Sequence, residues 1–283
     1  LDVQHTIARI IEQLRPIEGV QAIVLGGSRA RGTGHEHSDI DIGIYYDGNA
    51  GLDIEGIRLA AAVLDDERRG DIITGIGGWG PWINGGGWLA IDGLPVDLLY
   101  RDLRKVSKVV EQCLAGDITI DYQPGHPHGF VNAVYAAEAA LCQALWDPNG
   151  RIGEIKARMQ PYPAAMREGM LGKFLWEANF SLAGARKGTR MQDLSYIAGH
   201  CFRAISCINQ ALFALNDTFW MNEKGAAAIA DTFSMVPPSY ASRVNEVISL
   251  ITEDRPDTDR ALERLQAIIE ETNALIHAGG GKL

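Results

Sequence analysis

Val24-Leu25-Gly26-Gly27-Ser28-Arg29-Ala30-Arg31-Gly32-Thr33-Gly34-His35-Glu36-His37-Ser38-Asp39-Ile40-Asp41-Ile42-Gly43 joins an apolar run to a second strand-like run through a glycine turn and a polar connection. Two adjacent glycines let the backbone turn tightly and approach a ligand closely. Successive N–H groups and the Ser28 hydroxyl can then meet phosphate oxygens. A helix opening just after Ser28 would aim its positive end at the same place. In a strand, residues i and i+2 face the same way, so Asp39 and Asp41 project together while Ile40, Ile42 and Ile44 point into a core. Carboxylates about 7 Å apart at their Cβ atoms repel one another unless a cation lies between them. Hard oxygen donors of this kind suit Mg²⁺, which takes substrate phosphates as further ligands.

A third acid is expected from the run Leu94-Pro95-Val96-Asp97-Leu98-Leu99-Tyr100. Asp97 is its one carboxylate, costly to bury without a partner, and a cation explains it. Asp92, before Gly93, reads as a turn residue, and Asp102 reads as a cap or first-turn acid of a following helix. Three converging acids could hold one or two Mg²⁺ ions, bridge a triphosphate and let Asp97 accept the proton of an incoming hydroxyl.

Around this core the patterning predicts a helix over residues 3–16, strands over 20–25 and 39–46, and a helix over 53–68. Short strands are expected over 71–75, 88–91 and 95–100 among glycine-rich turns. Past Gln123-Pro124-Gly125-His126-Pro127-His128-Gly129 the chain becomes rich in Ala, Leu, Ile and Glu at helical spacing. Helical stretches are expected over 129–147, 151–160, 164–187, 192–216, 222–232, 239–253 and 257–277. The fold class is therefore α+β: a small mixed-sheet domain over residues 1–125, then an all-α helical bundle over 126–283. The tail 279–283 is expected to be mobile.

Gly26-Gly27-Ser28, ten intervening residues, Asp39-Ile40-Asp41 and the later Asp97 together resemble the DNA polymerase beta-like nucleotidyltransferase superfamily over about residues 18–102. The plan of a small α/β domain followed by helices looks most like the kanamycin- and streptomycin-type aminoglycoside nucleotidyltransferases. The resemblance implies Mg²⁺ bound by Asp39 and Asp41, with Asp97 as metal ligand or base. It also implies nucleotide phosphates held by Gly27 and Ser28. The implied reaction is transfer of a nucleoside monophosphate, AMP from ATP, to a hydroxyl of a small molecule with release of pyrophosphate. Helical domains of that family contribute basic residues to the triphosphate, which brings in Lys224, set beside Asn222 at the start of an expected helix. A lysine there opposes the helix dipole unless an anion is near; a solvated lysine is the alternative.

Other residues stay open at this level. Arg29 and Arg31 either neutralise phosphates or face solvent. Trp79, Trp82 and Trp88, set among glycines, form either a structural hairpin or an aromatic wall for a base or sugar. The alternate histidines of His35-Glu36-His37 and His126-Pro127-His128 are expected at the surface rather than on a transition metal. Arg190 and Asp193 are weaker candidates, and Glu168 and Glu177 read as surface acids on helices.

Composition narrows the function classes. Of 283 residues, 26 are Lys or Arg against 36 Asp or Glu, a formal charge of −10 that disfavours a grip on long nucleic acid. It favours small or cationic ligands. The cysteines, Cys113, Cys142, Cys201 and Cys207, lie in apolar surroundings without a CxxC pair and are expected to be buried free thiols. No apolar run is long enough for a membrane span and residues 1–20 do not read as a secretory signal, so a cytoplasmic location is expected. Two other outcomes share this sequence pattern: nucleotide transfer to a protein side chain or an RNA 3′ end, and a catalytically silent nucleotide-binding module.

Overall fold

The structure is a computed structural model that describes residues 2–279 apart from 33 and 37. His37 and the tail beyond Gly279, both named above, lie outside the described residues. The chain clusters into two compact units. The first comprises Leu1–Glu111, Asp121–Gly125 and Tyr135–Pro161; the second comprises Gln112–Ile120, His126–Val134 and Tyr162–Leu283. This partition and the one expected at residue 125 differ in where they place Gln112–Ile120 and Tyr135–Pro161.

In chain order the elements of the amino-terminal part are α1 (Val3–Leu14), β1 (Val20–Leu25), α2 (Gly27–Ala30), β2 (Ile40–Tyr46), α3 (Ile54–Leu64), β3 (Gly86–Ile91), β4 (Leu94–Asp102) and α4 (Leu103–Leu114). Two short strands follow, β5 (Ile120–Asp121) and β6 (Phe130–Val131), then α5 (Ala133–Leu141), β7 (Gln143–Trp146) and α6 (Arg151–Arg158). The main sheet runs β3-β4-β2-β1-β7. Only β2 and β4 are parallel within it.

Alternation along the central strands separates the sheet into two chemically different faces. Ile40, Ile42 and Ile44 are completely buried, and they share a cluster with Val96, Leu98 and Tyr100 and with Ile10 and Leu14 of α1 and Ile57 and Ala61 of α3. Each fully buried aliphatic side chain contributes about 1.5–3 kcal/mol, so this face anchors the sheet. The intervening positions, Asp41 on β2 and Asp97 and Arg101 on β4, then have to face the other way. At the sheet edge, buried Asp65 ends α3. It accepts two hydrogen bonds from the Arg69 guanidinium, at 2.9 and 2.6 Å, and one from the Ala90 N–H of β3 at 3.0 Å. The Arg69 bonds hold its carboxyl well below the usual carboxylate range even against the cost of burial.

Two sequence expectations are corrected here. Residues 143–146 are not helical: they form β7, antiparallel to β1. The unpaired edge of β1 offers a ladder of backbone partners, and that tertiary pairing overrides a helical pattern. Residues 71–75 form no strand but a single bridge, Ile73 to Gly87.

The second unit is helical: α7 (Ala164–Gly188), α8 (Leu194–Leu215), α9 (Ala226–Ala230), α10 (Tyr240–Ser249) and α11 (Arg255–Ala278). Among the described residues no helix is long and apolar enough to cross a membrane. All four cysteines are free and buried. Asp193 caps α8 by accepting the Tyr196 N–H at 3.1 Å, a structural role for one of the weaker candidates.

Candidate active site

Parallel pairing of β2 with β4 sets Asp41 directly opposite Asp97. Cross-strand partners share a face, so both carboxylates stand on the side away from the isoleucine core. Asp39, just before β2, is exposed and adds its field to the pair. The electrostatics record the crowding. Burial, then Asp41, then Asp39 push Asp97 up to about 6. Asp41 is likewise raised by burial, by Asp39 and by Glu138, against a smaller opposing pull from Arg31 and Arg29. Three acids that repel one another on one face, with oxygen donors only, form a donor set that fits a divalent hard cation such as Mg²⁺.

The glycine turn is built against this pair. The Gly26 N–H donates to the Asp41 carbonyl at 2.8 Å, so the chain leaving β1 runs alongside the start of β2. Gly27 has φ +61°, and a Cβ placed on it would lie 1.7 Å from Asp41 Oδ2. No side chain fits without displacing the carboxylate, which gives a physical reason for glycine at this position. Gly27 opens α2, two residues earlier than expected, and Ser28 follows it in the same turn. Replacing Gly27 by Ala is therefore expected to cost at least about tenfold in Mg²⁺ affinity, through the displaced Asp41, and about 1–3 kcal/mol in stability through the strained φ. Isothermal titration with Mg²⁺ and urea unfolding measure the two effects separately.

Arg29 and Arg31 prove to differ. Arg29 reaches across the polar connection, donating to the carbonyls of Ser38 and Asp39, from Nε at 3.0 and 3.2 Å, and of Glu36. It thereby holds the backbone that carries Asp39. Arg31 is exposed and donates from Nε to the Gly27 carbonyl at 3.2 Å, beside the turn.

The neighbouring acids have the structural roles expected of them. Asp92, at φ +54° in the β3–β4 turn, accepts from Thr6 at 2.8 Å and from Arg9. Asp102 accepts the N–H groups of Gly48 and Arg104, at 3.0 and 2.9 Å.

Of the three tryptophans, Trp82 is held by the fold. Its ring N–H donates to Asp121 at 3.1 Å, and the Lys105 ammonium lies 4.1 Å from its ring centre. Trp88 is the register partner of Asp97 on β3, is 61% exposed and stacks on Trp79 with ring centres 4.4 Å apart. This indole pair therefore borders Asp97 on the side opposite Asp41.

One participant carries no sequence signal. Arg101 of β4, on the acid face, forms a bidentate pair with Glu138 of α5, both bonds 2.7 Å, and its charge lies 5.3 Å from the Tyr135 ring centre. Burial works against the Arg101 charge, but Glu138 outweighs it and raises its pKa further. Glu138 follows Arg101 by 37 residues, and nothing in the spacing ties the two together.

Lys224 stands in the second unit, exposed, with its N–H donating to Asn222 Oδ1 at 3.0 Å. It lies before α9 rather than in its first turn, because Gly225 is the residue that caps that helix. Glu177 and His128, both read as surface residues from sequence, are buried in this unit. Glu177 lies against Arg203 of α8, the charge that its burial requires.

Residues 6–112 match the family model described as "Nucleotidyltransferase domain", and the match spans Gly27, Ser28, Arg31, Asp39, Asp41 and Asp97. Over these residues the chain is similar to nucleotidyltransferase domains, a class that transfers a nucleoside monophosphate from a nucleoside triphosphate. No curated protein matches the chain. Among solved structures it is similar to a nucleotidyltransferase-like protein from Exiguobacterium sibiricum 255-15, with 11% identity and a TM-score of 0.47. That alignment covers 98% of this chain and 77% of the other.

Proposed function

We propose that the protein is an adenylyltransferase that moves AMP from ATP to a hydroxyl of a small molecule and releases pyrophosphate. The observation carrying this reading is the opposition of Asp41 and Asp97 on one sheet face, with Asp39 beside them and the Gly27 turn built against Asp41. Asp39, Asp41 and Asp97 would hold Mg²⁺, which supplies charge neutralisation across the phosphates and a stabilised leaving group. Gly27 and Ser28 present the turn to the phosphates, and Arg31 adds positive charge beside it. Asp97 suits the proton acceptor: a carboxylate raised to about 6 takes a hydroxyl proton more readily than an ordinary one.

The phosphate-binding turn lies on the β1 side of the acids and Asp97 on the β4 side. In-line displacement needs the attacking hydroxyl opposite the departing pyrophosphate, so the acceptor approaches over Asp97 and the Trp79–Trp88 stack. The formal charge of −10 makes an aminoglycoside-like polycation the first acceptor to try.

The test is pyrophosphate release from ATP and Mg²⁺ across a panel of aminoglycosides, lincosamides and other hydroxyl acceptors, with α-labelled ATP to locate the product. Label on a small molecule, lost in Asp39→Asn, is the expected result. Label on protein or RNA would move the acceptor to a macromolecule. Absence of transfer to any acceptor by a folded, Mg²⁺-binding protein would leave only the silent nucleotide-binding reading.

A further inference from the structure

We propose that His128, Glu177 and Cys207 form a binding site for one zinc ion within the helical unit. The three side chains come from separate places in that unit: His128 from the segment 126–134, Glu177 from α7 and Cys207 from α8. All three residues are buried, and one ligand atom from each lies within 4.8 Å of the other two.

The spacing suits zinc. His128 Nε2 is 3.5 Å from Cys207 Sγ and 3.7 Å from Glu177 Oε1. Zinc bonds of about 2.0–2.1 Å to nitrogen and about 2.3 Å to sulfur, opened to a tetrahedral angle, separate N from S by about 3.5 Å. The corresponding N to O separation is about 3.3–3.4 Å, which a small inward shift of Glu177 supplies. At 3.7 Å the His128 and Glu177 atoms stand at ion-pair distance rather than at a close hydrogen bond, a separation that a cation between them also satisfies. A nitrogen, sulfur and carboxylate set selects zinc over magnesium.

The surroundings support the same assignment. His128 Nδ1 is 3.1 Å from the Gln210 amide nitrogen, while Gln210 Oε1 is buried without a hydrogen-bond partner. Turning that amide half a turn lets Oε1 accept the Nδ1–H. Nε2 then presents its lone pair to Glu177 and to the Cys207 thiol 3.5 Å away, a contact that a cation replaces once the thiol gives up its proton. A ligating histidine commonly donates its other N–H to such an outer partner. Arg203 donates to Glu177 Oε1, and with its side chain 46% exposed it marks where the cluster meets solvent and an ion can enter. Ser181, one turn beyond Glu177 on α7, has a buried hydroxyl without a partner, so the same seam has unspent polar capacity. Coordination would release the Cys207 proton to water and leave a neutral Zn²⁺–thiolate–carboxylate set beside the Arg203 charge. The ion would tie the 126–134 segment to the α7–α8 pair, a structural role independent of nucleotide transfer.

The experiment loads the full-length protein with zinc, removes excess by gel filtration and measures bound metal. It is repeated with cobalt(II), whose thiolate complexes give a charge-transfer band in the near ultraviolet. About one equivalent of zinc is expected, with a cobalt band that persists in Cys113→Ser and is lost in Cys207→Ser. Magnesium-type carboxylate sites give no such band, so the acids of the sheet do not interfere. Gln210→Leu should weaken zinc binding by about 10–100-fold. If Cys207→Ser fails to fold, His128→Gln replaces it and should lose the zinc equivalent. Folded wild-type protein that shows no cobalt–thiolate band, or a band unaffected by these substitutions, overturns the proposal.

Discussion

Replacing Asp97 by Asn should raise the melting temperature of the metal-free protein while reducing nucleotidyl transfer by about 10³-fold or more. The two effects have one origin. Burial and two neighbouring carboxylates hold Asp97 at about 6 in the folded protein, above its value in the unfolded chain. Between about pH 4 and pH 6 the folded state therefore binds more protons than the unfolded state. Stability falls as pH rises through that window, and the penalty is fully present at neutral pH. Asn carries no such penalty. Discounted for the partial exposure of the group, the relief is about 1–2 kcal/mol, or about 2–6 °C for a chain of this size. The gain should vanish below about pH 4, where Asp97 is protonated in both states.

Adding Mg²⁺ should reverse the order of the two proteins, because a ligand that binds the folded state stabilises it by mass action and Asn binds the cation poorly. The loss of transfer combines a removed proton acceptor with a weakened metal site; general-base catalysis alone is worth about 10²–10⁴-fold. Asp41→Asn should share the loss of Mg²⁺ affinity and also raise the metal-free melting temperature, since removing its charge lifts its own burial penalty and relieves Asp97. Differential scanning fluorimetry from pH 4 to pH 8, with and without Mg²⁺, reads all of this. A metal-free Asp97→Asn protein that melts below wild type at pH 7.5 would refute the crowding argument.

Arg101→Met should be the most destabilising change in the amino-terminal unit, at about 3–5 kcal/mol, because it strands Glu138 rather than because it removes an attraction. The Arg101 side chain is 3% exposed and the Glu138 side chain 21%, so neither has much water to fall back on. Glu138 also already raises Asp41, and without Arg101 its charge would bear on the carboxylate site unopposed. An unpaired, partly buried carboxylate has a raised folded-state pKa, so the variant should regain stability as pH falls, the opposite of ordinary acid denaturation. The double variant Arg101→Met/Glu138→Gln should recover most of the loss. Urea unfolding at pH 5 and pH 8 measures both trends. A single variant that loses less than about 1 kcal/mol would show that Glu138 finds solvent or another partner.

Much of the site is legible in neighbouring residues because its chemistry is local. The glycine turn, the i, i+2 acids and their isoleucine backing occupy one continuous stretch, and Asp97 announces itself as the odd carboxylate of an apolar strand. The buried partners are not legible in this way. Glu138, His128 and Glu177 look like ordinary polar residues, and nothing adjacent to them in the chain signals burial. The β7 residues likewise look helical until the open edge of β1 is known.

The amino-acid sequence alone determined the class of fold, the turn and the acids, because period-two patterning, glycine's freedom at positive φ and like-charge repulsion act within a few residues. Tertiary structure decided which strand set Asp97 against Asp41, which helix neutralised Arg101, and which distant groups met around His128. Those pairings join segments tens of residues apart. They are chosen by the requirement that every buried charge and strand edge find a partner once the chain has closed on itself.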